Sequence, residues 1–252
     1  MMNINQKVII FAHPRSGSTS LCKILNTHPD LNLAYEPLHP SYGEWNPDEK
    51  NYIDFINDIP SLDAAMEELF RKYNGMKVLS YQLRAENFKH LLYRPDCKVI
   101  FLWRANYLKS VVSILIAEQT HVWQKKDLNK VPGAYQQQLK PLKTEGIDGI
   151  GNRVKRIREE IQYWDRVVSQ KPEGTFYKVT YEDLYCNGVE QGAARVKDIF
   201  AFLGLEVPET DEFVKFLEPQ NEQINTVKTY EKVPNIREIN DRFGSKENGY
   251  LF

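Results

Sequence analysis

Val8-Ile9-Ile10-Phe11-Ala12 is an apolar run that gives way at once to His13-Pro14-Arg15-Ser16-Gly17-Ser18-Thr19. Such a run ahead of a Gly- and Ser-containing break predicts a buried strand, then a loop, then a helix, the opening unit of a sheet covered by helices. The loop carries what holds an anion: successive backbone N–H groups, the hydroxyls of Ser16, Ser18, Thr19 and Ser20, a permissive Gly17, and the fixed charge of Arg15. A nucleoside-triphosphatase loop would end in Gly-Lys-Ser/Thr, its hydroxyl serving Mg²⁺, whereas this loop has no lysine and has Arg15 inside it. The expectation is a phosphate bound without a metal.

The elements that follow alternate. Leu21, Ile24, Leu25 and His28 fall on one helical face, and Leu31 to Tyr35 reads as a second strand closing on Glu36-Pro37. A helix is predicted from about Ser61 to Tyr73, then a short strand from Lys77 to Tyr81. Cys97 to Trp103 is another continuous apolar strand, running into Arg104 and a helix from about Tyr107 to Glu118. Val154, Ile157, Ile161, Trp164 and Val168 mark a long amphipathic helix, Phe176 to Thr180 a late strand, and Val196, Ile199, Phe200 and Leu203 a helix stopped by Gly204. Strands alternating with helices predict an α/β fold, a central mainly parallel sheet flanked by helices in three layers, within one domain over residues 1–252.

Two stretches fall outside this alternation. From about Lys125 to Gly149 the chain is rich in Gln, Lys, Gly and Pro without a period, which fits an acceptor loop or lid over 120–150, or a plain surface insertion. The tail, 219–252, includes Val227 to Val233, where polar and basic residues alternate; it folds over a bound anion or caps the sheet, with Lys228, Tyr230 and Lys232 as flap residues in the first case.

Composition narrows the partners. A formal charge of −1 argues against a general nucleic-acid binder. No apolar run approaches the roughly 20 residues that cross a bilayer, and the N-terminus has neither a basic lead nor a signal-peptide core, so a cytoplasmic protein is expected. Cys22, Cys97 and Cys186 are widely spaced without a Cys-x-x-Cys pattern, which reads as reduced structural thiols.

Ligands of open parallel sheets gather at the carboxyl ends of strands. Three such ends carry polar chemistry here: the anion loop with Arg15, then Glu36, then Arg104 followed by Ser110 and Ser113. Two arginines and one acid suit a transfer from an anionic donor, the arginines holding phosphates and the carboxylate taking a proton from an attacking hydroxyl.

These residues carry a family resemblance. His13 to Thr19 resembles the 5′-phosphosulfate loop of sulfotransferases that use 3′-phosphoadenosine 5′-phosphosulfate (PAPS), and Arg104 with Ser113 resembles their 3′-phosphate-binding strand and helix. Val179-Thr180-Tyr181-Glu182-Asp183-Leu184, with Ile199 to Gly204 after it, is similar to the family's late strand and following helix. Lys77-Val78-Leu79 and Ala117 to Trp123 further resemble the bacterial trehalose-type branch, whose members sulfate sugar hydroxyls. The resemblance implies the P-loop-containing fold and PAPS as donor with no metal, and it implies sulfation of a small-molecule or glycolipid hydroxyl. Residues 16 to 20 would bind the 5′-phosphate, Arg15 would neutralise charge as that phosphate leaves, and Glu36 would act as general base. Arg104 and Ser113 would read the 3′-phosphate, Tyr181 would join the donor site, and Lys77, Tyr81, His39 and Trp123 would face the acceptor.

The chain also departs from the family. The second 3′-phosphate ligand often lies eight residues after the arginine, and here that position is Val112, with Ser110 and Ser113 on either side. Duller readings stand beside the assignments. Glu36 is a strand-end residue paired with a surface lysine, or His39 is the base in its place; Arg104 is a structural ion-pair partner; Trp123 and Tyr81 are core aromatics. A nucleotide kinase would need the missing loop lysine, whereas a nucleotide-binding module without turnover would keep the whole pocket.

Overall fold

The computed structural model describes residues 6–46, 48, 51–123, 127, 139–208, 211–218 and 227–252. Residues 124–126 and 128–138 of the predicted loop over 120–150, and the start of the tail at 219–226, lie outside the described residues. The chain divides into two compact units, Met1–Trp103 with Trp164–Glu218, and Arg104–Tyr163 with Pro219–Phe252.

The first unit is built on β1 (Lys7–Ala12), β2 (Leu33–Tyr35), β3 (Gly75–Leu79), β4 (Cys97–Trp103) and β5 (Phe176–Thr180). Their order is β2-β3-β1-β4-β5 and every pairing is parallel. The apolar run is therefore the middle strand, with Val8 to Ala12 fully buried between β3 and β4. Alternation along β1 sends Val8, Ile10 and Ala12 to one face, where they pack with Leu21, Ile24 and Leu25 of α1 (Ser18–Leu25) and with Val196, Ile199, Phe200 and Leu203. On the other face Phe11 meets Phe88 and Trp164, each at 5.0 Å between ring centroids, and Phe101 at 5.6 Å. Burying side chains of this size stabilises by roughly 1.5–3 kcal/mol each, which is why β1 fixes the register of its neighbours.

Boundaries moved where local polar groups decide. The third strand begins at Gly75 and ends at Leu79, so Tyr81 lies in the turn after it, where Gln82 N–H donates to Leu79 O at 2.9 Å. The helix Ile59–Lys72 starts two residues early because Asp58 caps it, accepting from Ser61 N–H at 2.9 Å, with a proline in the first turn. Ala85–Leu92 is a helix that periodicity over so short a span did not reveal. The helix Val189–Leu203 ends, as predicted, on Gly204 in the left-handed conformation.

The second unit contains α5 (Tyr107–Thr120), most of α6 (Ile150–Ser169) and the tail helices Val227–Tyr230 and Ile236–Phe243. Asn106 caps α5 through Lys109 N–H at 2.8 Å, and its amide donates to Tyr250 O at 2.7 Å. Asn235 exchanges two hydrogen bonds with the Leu142 backbone, at 3.0 and 2.9 Å. The described tail is thus stitched to its own unit. No helix among the described residues is long and apolar enough to cross a membrane.

Candidate active site

The anion loop is shaped by backbone more than by side chains. His13 N–H donates to Leu102 O at 3.1 Å, the last rung shared with β4, and the Ser16 hydroxyl then turns back to His13 O at 2.6 Å. That hydroxyl closes the loop, so toward an anion Ser16 offers its backbone N–H first. Arg15 and Gly17 both take left-handed conformations, with φ 64° and 79°. Gly17 is the N-cap of α1 and has no side chain to bond the first N–H groups of the helix, which leaves them for an anion.

The short helix α7 (Tyr181–Tyr185) supports this loop. The Tyr185 hydroxyl donates to Gly17 O at 3.0 Å, and a Cβ at Gly17 would fall 2.5 Å from Tyr185 Cε2 and 3.0 Å from Tyr181 Cδ2. The two tyrosine rings lie 5.0 Å apart and fill the space a larger residue would need. The sequence placed Tyr181 at the donor; its visible structural part is as one wall of the loop.

Glu36 follows β2 directly, and its N–H extends the sheet to Lys77 O at 3.1 Å. It is 5% exposed, and its φ of 51° is left-handed. One carboxylate oxygen pairs with Lys77 Nζ, and the other accepts from Gln82 Nε2 at 2.9 Å. Gln82 is itself fixed, its Oε1 accepting Leu79 N–H at 3.0 Å. Glu36 is thus paired with a lysine, as the duller reading supposed, but with a buried one rather than a surface one.

Lys77, expected to face the acceptor, is 2% exposed. Besides Glu36, its ammonium donates to Thr19 Oγ1 at 3.3 Å and lies 4.1 Å from the centre of the Tyr35 ring. Thr19 Oγ1 and Tyr35 OH are 2.8 Å apart. Burial alone would push the ammonium down, but Tyr35 and Glu36 hold it above the ordinary lysine value. Gln82 and Tyr35, which the sequence reading missed, complete the arrangement; nothing in their sequence neighbourhood marks them, since both matter only through the strand order.

Around Glu36 lie aromatic rings. His39 stacks on Trp45 with centroids 4.5 Å apart, and Tyr81 meets His39 edge-on at 6.4 Å. Trp45 and Tyr81 are 39% and 57% exposed, so both offer ring surface to a ligand. Burial first, and then the charge of Glu36, push the Tyr81 hydroxyl up to about 12.

The remaining candidates belong to the second unit. Arg104 is the residue after β4 and is half-buried. Ser110 and Ser113 are buried on α5, three residues apart, and Ser110 Oγ donates to Asn106 O at 3.3 Å. Trp123 is 43% exposed. Among the described residues no group of three His, Cys, Asp or Glu is placed to hold a metal.

Nodulation protein H of Rhizobium meliloti (strain 1021) is 29% identical over 128 residues, 48% of this chain and 51% of that protein, so the chain matches about half the length of this curated relative. Among solved structures, mouse sulfotransferase SULT7A1 complexed with PAP aligns over 84% of this chain and 64% of its own, at 17% identity and a TM-score of 0.45. The sulfotransferase domain from the curacin biosynthetic pathway aligns over 84% and 77%, at 16% identity and a TM-score of 0.47. The family model described as Sulfotransferase domain matches residues 5–249, and a match over nearly the whole chain places this protein in the sulfotransferase domain family.

Proposed function

We propose that this protein transfers a sulfuryl group from PAPS to a hydroxyl of a sugar or glycolipid acceptor, with Glu36 as general base. The observation that carries the reading is backbone strain. Among the described non-glycine residues, Arg15, Glu36 and His121 have positive φ, and the first two are the residues nominated for chemistry. Such a conformation costs about 1–2 kcal/mol, a cost that persists where function holds the residue in place.

The residues present fit the donor. The uncapped N–H groups of α1 and the Arg15 guanidinium suit a phosphate, and Ser80 adds an orphaned group. Its N–H donates to Ala12 O at 3.0 Å, beside the loop, while its buried hydroxyl has no hydrogen-bond partner among the described residues. PAPS, when bound, supplies a sulfuryl group on a phosphate that can leave. Glu36 takes the proton of the acceptor hydroxyl: a carboxylate has about four lone-pair sites, and two donors occupy two of them. His39 is the poorer base. Its Nδ1 accepts Ser41 N–H at 3.0 Å, which puts the ring proton on Nε2, and burial pushes the imidazole down. The exposed rings of Trp45 and Tyr81 support an acceptor with an apolar face, as a pyranose has.

The test is incubation with labelled PAPS and a panel of sugars, glycolipids and phenols. Label on a sugar hydroxyl is expected; label on phenols alone overturns the acceptor class, and product-nucleotide binding without any transfer makes the protein a binding module. Arg104 has its own test as the 3′-phosphate reader. Arg104→Ala is expected to weaken 3′-phosphoadenosine 5′-phosphate about tenfold or more, the loss of a charge-assisted hydrogen bond, and scarcely to affect a ligand without the 3′-phosphate. Equal losses in calorimetric titrations of the two ligands would exclude that role.

A further inference from the structure

We propose that Lys77 is a positioning residue for the reaction: its buried ammonium pairs with and aims the Glu36 carboxylate, and ties it to the first turn of the anion-loop helix through Thr19. This rests on the reading of Glu36 as general base.

The placement follows from strand order. β3 lies between β1 and β2, with Lys77 level with Ile10 on one side and Tyr35 on the other. From there its side chain reaches Glu36 just past β2 and Thr19 in α1, while the Tyr35 ring covers it. An ammonium has three protons and no rotamer to spare once Glu36, Thr19 and the ring face are all engaged. As a stabilising device the pair is poor, because desolvating two charges offsets most of their attraction and an apolar pair of similar volume would serve the fold as well. Combined with the left-handed backbone at Glu36, this points to a group held ready for proton transfer.

Other described titratable groups face Glu36 from the elements around it. From α1 comes Cys22, whose thiol burial pushes up to about 11; from β2 comes Tyr35, raised by burial. Tyr81 comes from the turn after β3, and His39 from the segment after Glu36, where burial pushes its imidazole down. Against these groups, Lys77 brings a formal positive charge into direct contact with the carboxylate.

Lys77→Met keeps the length and removes the charge. Expected is a kcat loss of tenfold or more, with the acid limb of the kcat/KM profile moved up by about one pH unit or more, while the KM for PAPS changes little. Lys77→Arg should return the limb to its original place. Gln82→Met, which removes a hydrogen bond but no charge, should lower kcat and leave the limb where it was. A Lys77→Met profile that superimposes on the original overturns the proposal, as does a limb moved equally by Gln82→Met. Should Lys77→Met fail to fold, ¹⁵N NMR of the original protein decides: an ammonium signal for Lys77 at neutral pH is required, and a neutral amine there overturns the proposal. Failure of the underlying reading is distinguishable, since it would appear as full transfer by Glu36→Gln. The double variant Lys77→Met, Glu36→Gln should be no slower than Glu36→Gln alone.

Discussion

Glu36→Gln is expected to lower sulfuryl transfer by roughly 10²–10⁴-fold, the range for a lost general base, with 3′-phosphoadenosine 5′-phosphate bound as before. The amide has the size of the carboxylate and still offers Lys77 an oxygen, so the buried ammonium keeps an acceptor. Stability should therefore fall by less than the ~3–5 kcal/mol that follows when a buried ion pair loses a partner outright. Transfer assays, calorimetric titration and thermal unfolding together read the result. Unchanged transfer would remove Glu36 from the mechanism, and loss of binding along with transfer would assign the residue to the fold.

Gly17→Ala should abolish tight donor binding. At φ 79° an alanine costs about 1–2 kcal/mol from backbone sterics alone. Its Cβ would also lie 2.5 Å from Tyr185 Cε2, a contact the ring relieves only by moving the hydroxyl off Gly17 O. Strain and the lost hydrogen bond, at about 1 kcal/mol, fall on the segment that aims the first N–H groups of α1. The donor dissociation constant is expected to rise at least tenfold, and Tyr185→Phe, which loses the hydrogen bond but adds no clash, should have the smaller effect. Wild-type affinity in Gly17→Ala would show that the loop's shape is not what binds the donor.

Much of this was legible in the sequence where chemistry is local. The apolar run of β1, its break at Gly17, the second run of β4 and the stop at Gly204 each depend on a few adjacent residues, and each stands where it was read. What escaped depends on the order of strands. A lysine in a short strand reads as exposed, and nothing near Lys77 announces that Glu36, 41 residues earlier, comes to lie beside it. Gln82 escaped for the same reason, and Tyr185 because its partner is a backbone carbonyl 168 residues away. The tail showed no helical period because Ile236–Phe243 buries Ile236 and Ile239 and little else.

The left-handed backbone at Arg15 sets this position against selection for heat resistance. Glycine relaxes such a backbone, so in a library screened for melting temperature alone Arg15→Gly gains the relief of that strain. The survivors would be sturdy and inert. On the proposed reading, Arg15 is held by turnover against that pull, whereas Glu36 is also held by the buried Lys77 it pairs with, and drift of Arg15 to glycine would be an early mark of a copy that no longer catalyses.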